Sequence, residues 1–467
     1  MPTRRDFLVQ GALLTAGALA GCAPRTRGGT GSAIVPASDA RWSEDAIAAR
    51  VRGATIASRT VRAEAHGARS GEGADARRGI QAALDAAASQ GGGRVALGPG
   101  TWRSDGPIVL RSGTALHLEA GATLRFTPDP ALYLPVVFTR WEGTECWNYS
   151  PFIYAIDARD VAITGAGTID GAAGAVFGPW RDAQGPAQQA LRRMGAEGTP
   201  VRERVFGAGR MLRPDFVQFV NCDGVTIEGI TVTDSPFWVL HPTYCRNVLV
   251  RGVTVRSPRL NNDGVDPDSC TDVLIERCTF ETGDDAIAIK SGRDADAWRV
   301  GRATEGVVVR DCAMPRAHNG IAIGSEMSGG VRHVHVARCT MGTVGSALYF
   351  KGNLDRGGEV SHVRVRDVTV ASATTLVHFT TAYHGYRGGN RPPRFHDFHV
   401  RGVRCDEAQL AVAAVGAAGA PLSAVRLGDF TVARARTAAE IRHVRALALD
   451  NVTVNGTALA SAADVDG

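Results

Sequence analysis

Two short segments of the chain hold more carboxylates than a turn requires. They are Asn261-Asn262-Asp263-Gly264-Val265-Asp266-Pro267-Asp268 and Gly283-Asp284-Asp285-Ala286-Ile287-Ala288-Ile289-Lys290. Two further segments, His318-Asn319-Gly320-Ile321-Ala322-Ile323 and Leu348-Tyr349-Phe350-Lys351, continue the series. With Val265, Ile287, Ile321 and Leu348 aligned as one column of successive strands, Asp263, Asp285, Asn319 and Ser346 fall in a column two residues earlier. Asn262, Asp284 and His318 fall in the adjoining column. Asp266, Ala288, Ala322 and Tyr349 then form an outward row, and Asp268, Lys290, Gly324 and Lys351 the next. Carboxylates stacked in this way repel, so at least one pKa rises. Single-displacement glycoside hydrolysis uses such a split. One protonated acid serves the leaving oxygen and one carboxylate activates water. Asp284 has the place of the acid, Asp263 and Asp285 that of the water-activating pair, and His318 a place beside Asp284. Asp266 and Asp268 are explained at least as well as turn caps, a common use of Asp.

Such convergence requires elements that stack in register, and the sequence supplies them. A pattern of two short alternating apolar runs begins at Val161 and returns at Val225, Val248, Val273, Val307, Val334, Val363, Phe398, Val425 and Leu447. Alternation at period two marks strands with one inward face. Gly, Asp or Asn between the runs marks corners. A unit of this size cannot bury its apolar side alone, so stacked coils form the folding unit. The pattern predicts an all-β chain, a single-domain right-handed parallel β-helix. A β-propeller would need longer repeats of about 40–45 residues. Cys222, Cys245 and Cys270 share one offset in the repeat, and Cys278, Cys312 and Cys339 another. Two columns of three suggest buried thiols packed as small apolar groups. Ahead of the stack, residues 75–93 read as an amphipathic helix with Ile80, Ala83, Leu84 and Ala87 on one face, placed to cap the open end of the solenoid. The long interval between Val161 and Val225, with Trp180, Arg192 and Arg193, is expected to loop out beside the groove.

Composition agrees with this architecture. Of 467 residues, 56 are Gly and only 6% are aromatic, which suits many tight turns between short strands. A net charge of +5 fits a solvated, Arg-rich surface and does not call for a nucleic-acid partner. Thr3-Arg4-Arg5-Asp6-Phe7-Leu8 before an apolar run resembles a twin-arginine export signal, and Leu19-Ala20-Gly21-Cys22 a lipoprotein cleavage box. The expected organisation is an export signal over 1–21, a tether over 22–58 lipidated at Cys22, and a catalytic β-helix over 59–467. That implies a periplasmic or outer-membrane lipoprotein, monomeric, touching the membrane only through its lipid.

At the acidic segments the chain resembles the polygalacturonases of glycoside hydrolase family 28. Their Asn-Thr-Asp, Gly-Asp-Asp, Gly-His-Gly and Arg-Ile-Lys motifs match Asn261-Asn262-Asp263, Gly283-Asp284-Asp285, Ala317-His318-Asn319 and Tyr349-Phe350-Lys351, in that order. Likeness extends from about Gly67 to Gly358. The resemblance implies inverting hydrolysis of galacturonic-acid-containing pectic chains, without metal or cofactor. It makes Asp284 the general acid and Asp263 with Asp285 the holders of water. His318 supports the acid and Lys351 binds a substrate carboxylate, with Tyr349, Asn261 and Lys290 as further binding candidates. Tyr349 stands where the family has Arg, which loses a bidentate carboxylate partner. The expected substrate therefore moves from plain homogalacturonan toward a substituted or mixed pectic chain, such as rhamnogalacturonan side chains. Two rivals remain: a β-helical pectate lyase using calcium held by the acidic cluster, and a glycan-binding solenoid without catalysis.

Overall fold

The computed structural model describes residues 40–71, 73–383, 388, 390–460 and 462–465. The expected export signal, Cys22 and most of the expected tether lie outside the described residues.

The alternating runs form the coils of a right-handed parallel β-helix. The repeat starts pair one to the next without a slip: Val161 with Val225, Val248, Val273, Val307, Val334, Val363, Phe398, Val425 and Leu447. Period-two alternation fixes this register, because a slip of one residue would turn each apolar set outward. Inward residues such as Val248, Val250 and Val255 are fully buried, and each such side chain contributes about 1.5–3 kcal/mol of burial. Corners fall where the chain has Asp, Asn or His with positive φ, as at Asp160, Asn247, Asp272, His333 and His362. Asp and Asn tolerate that backbone region because their short side chains bond locally.

The third strand of each coil builds the sheet that matters for chemistry. Ile153–Ile156, Val217–Val220 and Leu240–Thr243 lie side by side. Val265 and Asp268 bridge Leu240 and Thr243 to Ile287 and Lys290. The sheet then runs on through Asp285–Ile289 into the coils holding Asn319 and Ser346.

The expected N-terminal helix spans Arg77–Ser89 and buries Ile80, Ala83, Leu84 and Ala87. The two cysteine columns are buried free thiols. The interval after Val161 is folded rather than looped. It holds helices Gly174–Phe177, Trp180–Ala183 and Gly185–Ala196. Ala187 and Leu191 of the last helix join a satellite core with Trp141, Phe237 and Trp238, which fastens this insertion beside the third sheet.

Residues 40–58, read as part of a free tether, are laid along the outside of the solenoid. Helix Glu44–Arg50 buries Ile47 against Leu249, Leu274 and Val308. Arg50 pairs with Asp272 at 2.7 Å. Asn247 Oδ1 accepts the N–H groups of Arg52 and Gly53. The cause is that Leu249, Leu274 and Val308 are outward, apolar residues of the first strand column, a stripe that a free linker would leave in water.

Candidate active site

The carboxylates sit at the corner that leads into the third strand, and close packing explains the glycines around them. A Cβ on Gly264 would lie 2.4 Å from the carbonyl of Ala286, and one on Gly283 would lie 2.1 Å from that of Arg259. Neighbouring coils therefore approach more closely here than any side chain allows. Asn262 pins the corner: its Nδ2 donates to the carbonyls of Ser235 and Phe237, and its Oδ1 accepts from Ser257.

Asp263, Asp284 and Asp285 meet as the column alignment requires, with one oxygen of each within 4.8 Å of the others. They line a cleft of about 480 Å³. The cleft is also lined by Glu142 and by Gln184, Gln188 and Arg192 from the helical insertion. The three carboxyl groups have different surroundings. Asp284 Oδ2 accepts the backbone N–H of Asn261 at 3.1 Å, and its Oδ1 accepts that of Asp285 at 3.0 Å. Burial, then the neighbouring Asp285, raises its pKa above the ordinary carboxylate value. Asp285 is held oppositely. Burial alone would raise it, but Lys351 and Lys290, with the bond from Asn319, hold it below the ordinary value. Lys351 Nζ lies 3.0 Å from its Oδ2 and Asn319 Nδ2 2.7 Å from its Oδ1.

Asp263 departs from the expectation of an ionised partner equal to Asp285. Burial, then Asp266 and Asp284, pushes its pKa well above the ordinary value. Asp266 is fully buried and raised as well, by burial first. Neither Asp266 oxygen nor Asp263 Oδ1 has a hydrogen-bond partner among the described residues. Two buried carboxylates without donors are biased toward the protonated form.

Lys290 lines the cleft, and its charge is shared among carboxylates. Its ammonium lies 3.2 Å from Glu326, 3.8 Å from Asp263 and 4.0 Å from Asp266, above the ring of Trp238 at 4.7 Å. Glu326 is also paired with Arg293. Lys351 likewise spends its charge on Asp285. Asn261 holds the acid, and its own Oδ1 accepts from Arg213 Nη2 at 2.6 Å. His318 stands exposed one coil on, its backbone N–H bonded to the Asp284 carbonyl at 3.1 Å. When protonated, its charge favours ionised Asp284. Tyr349 stacks on His378, with centroids 4.3 Å apart. Asp266 and Asp268 are not turn caps. Asp268 is fully buried between Arg140, at 2.9 Å, and His241.

Several site residues carried no signal that sequence reading used. Glu326 follows the strand ending at Ile323, in Gly324-Ser325-Glu326, and a polar residue at that corner could have marked it. Arg213, Arg140 and Tyr383 lie outside the repeating pattern, where register says nothing about neighbours.

The three carboxylates could in principle hold a cation. Two ammonium groups already occupy that electrostatic role, so the residues present do not fit a calcium site of the lyase type.

Residues 106–452 match the glycosyl hydrolases family 28. The chain belongs to that family. It is therefore a glycosidase that hydrolyses O-glycosyl bonds. Its fold matches that of a hyperthermoactive exopolygalacturonase from Thermotoga maritima with a TM-score of 0.86 at 37% identity, covering 89% of this chain and 96% of that one. A probable polygalacturonase of Vitis vinifera is 28% identical over 369 residues, 76% of this chain and 69% of that protein. A polygalacturonase of Ralstonia solanacearum is 25% identical over 327 residues, and the match spans 58% of that protein's length.

Proposed function

We propose that this family 28 enzyme hydrolyses galacturonic-acid-containing pectic chains from an end, by single displacement with inversion. One observation carries the reading: three carboxylates from adjacent coils meet in one cleft, with Asp284 biased toward its acid form and Asp285 toward its anion. Asp284 donates its proton to the glycosidic oxygen as the bond to the anomeric carbon breaks. A water attacks that carbon and gives its proton to Asp285, and Asp263 orients the same water. Protons balance, and the free sugar end forms directly. Both oxygens of Asp285 are tied, one to Lys351 and one to Asn319, which fixes the direction in which it accepts a proton.

End-wise action is supported by the helical insertion, whose Gln184, Gln188 and Arg192 wall the cleft beside the carboxylates, and by the exopolygalacturonase of Thermotoga maritima, which shares this fold at 37% identity. The replacement of the family's Arg by Tyr349 favours a mixed or substituted pectic chain over plain homogalacturonan.

A retaining reading is favoured by one feature. Oxygens within 4.8 Å are closer than the about 6.5–9.5 Å usual for inverting pairs and nearer the about 5–5.5 Å of retaining ones. Defined pectic oligosaccharides, followed by mass and by proton NMR of the fresh product, decide both points. Inversion with single-unit release supports the proposal. Net retention would transfer Asp285 or Asp263 to the role of nucleophile, and random internal cleavage would remove the end-wise reading. Export and lipid anchoring belong to the same proposal and rest on the pattern around Arg4, Arg5 and Cys22. Labelled palmitate should enter the wild-type protein and not Cys22→Ala.

A further inference from the structure

Position 349 is where this chain leaves its family's motif, and the structure gives that departure a use. Tyr349 and Lys351 are two apart on one strand, so both point to the cleft side of the third sheet. An Arg at 349 would set a second cation beside the Lys351 ammonium. Tyr349 instead offers a ring: Lys351 Nζ lies 4.8 Å from its centroid, within the about 6 Å reach of a cation–π contact. A second ring closes on the same ammonium, with the Tyr383 centroid at 5.6 Å. The two rings meet edge to face, 6.2 Å apart at 71°. Each ring has its own support. Tyr383 donates its backbone N–H to the carbonyl of Gly352 at 2.9 Å, next to Lys351 in sequence. Tyr349 is backed by His378 of the following coil, stacked within 13° of parallel. Burial and the nearby Lys351 hold the His378 pKa down at about 4, so that ring adds no competing charge. The side chain of Lys351 is only 8% exposed.

We propose that Tyr349 and Tyr383 are positioning residues that cage Lys351 on Asp285, so that Lys351 serves as counter-ion of the water-activating carboxylate. The inference rests on the reading of Asp285 as base. The cage fixes where the ammonium stands, and the ammonium keeps Asp285 ionised. The charged groups acting on Asp285 besides Lys351 are Asp263, Asp266, Asp284 and Lys290, while His318, one coil on, acts on Asp284. None of them is altered by a change at 349 or 383.

The test is kcat, KM and the pH profile of kcat/KM on one defined galacturonate oligomer. The proteins compared are wild type, Tyr349→Leu, Tyr349→Phe, Tyr383→Leu and Asp285→Asn, each checked for folding by circular dichroism. Tyr349→Leu should lower kcat about tenfold with KM held within about twofold, and should move the acid limb upward by about one pH unit, as Asp285 loses a fixed counter-ion. Tyr349→Phe keeps the ring and should restore most of that rate. Tyr383→Leu should repeat the pattern of Tyr349→Leu, and it carries the test if the latter does not fold. A raised KM with an unmoved acid limb would make Tyr349 a substrate contact and overturn the cage, as would a Tyr349→Leu protein indistinguishable from wild type. Failure of the underlying reading looks different: Asp285→Asn would then retain wild-type turnover.

Discussion

Replacing Asp284 by Asn removes the transferable proton and changes little else in shape. A general acid contributes about 10²–10⁴ in rate, or about 3–5 kcal/mol of barrier, so kcat should fall by that factor. The effect on folding follows from the two donors that Asp284 accepts. Asn261 N–H reaches Oδ2 and Asp285 N–H reaches Oδ1. An amide offers one oxygen and one NH₂, so one of these donors loses its partner, at a cost of about 1–3 kcal/mol. Removal of the repulsion between Asp284 and Asp285 offsets part of that cost. Unfolding in urea should therefore shift by no more than about 2 kcal/mol, while the release of reducing ends nearly stops. The assay pairs reducing-end release under saturating substrate with tryptophan-monitored unfolding. Turnover within tenfold of wild type, in a folded protein, would refute the assignment of the acid.

Further outcomes follow from other parts of the molecule. Lys290→Met leaves Asp263, Asp266 and Glu326 buried without their shared ammonium. Breaking a buried pair costs about 3–5 kcal/mol, so thermal unfolding should move down by several degrees, and an unchanged midpoint would contradict that network. His241 lies fully buried between Asp215 and Asp268, with Arg140 beyond Asp268. Burial works against its charge, but the two carboxylates raise its pKa from 6.5 to about 8. A raised folded value means the stabilisation is complete below the unfolded pKa and is lost as pH climbs through about 8. The loss is about 2 kcal/mol, readable as a urea midpoint that falls between pH 6 and pH 9 in wild type and not in His241→Gln. Ile47→Ala should cost about 2 kcal/mol, the low end for a buried Ile, without changing kcat. A larger effect on activity than on stability would mean that the N-terminal segment acts on the cleft.

The sequence carried the register because a coil is a local rule repeated. Once Val265 and Ile287 are known to pair, as the observed bridge between them shows, Asp263 and Asp285 cannot avoid one another. Contacts made by segments outside the repeat were not legible. Lys351 reaches Asp285 across 66 residues of chain, and which way a long, flexible side chain turns depends on rings and charges that periodicity does not describe. Lys290 falls in an outward row by the same periodicity, which carries no sign of the Glu326 and Trp238 side chains beside its ammonium. Asp266 and Asp268 have the composition of turn residues, and only the surrounding cations, His241 and the lack of donors to Asp266 separate a buried charge network from a cap. The segment over 40–58 has the small residues of a linker. Its docking depends on the outward Leu249, Leu274 and Val308, whose exposure cannot be judged one strand at a time.

The split between two adjacent carboxyl groups is tested most directly by the pH dependence of kcat/KM on a galacturonate oligomer, over the range where fluorescence shows the fold intact. The account gives a bell, its acid limb set by Asp285 below 3.8 and its alkaline limb by Asp284 above 3.8, the ordinary Asp value. A profile without an alkaline limb, or an alkaline limb that survives in Asp284→Asn, would contradict it.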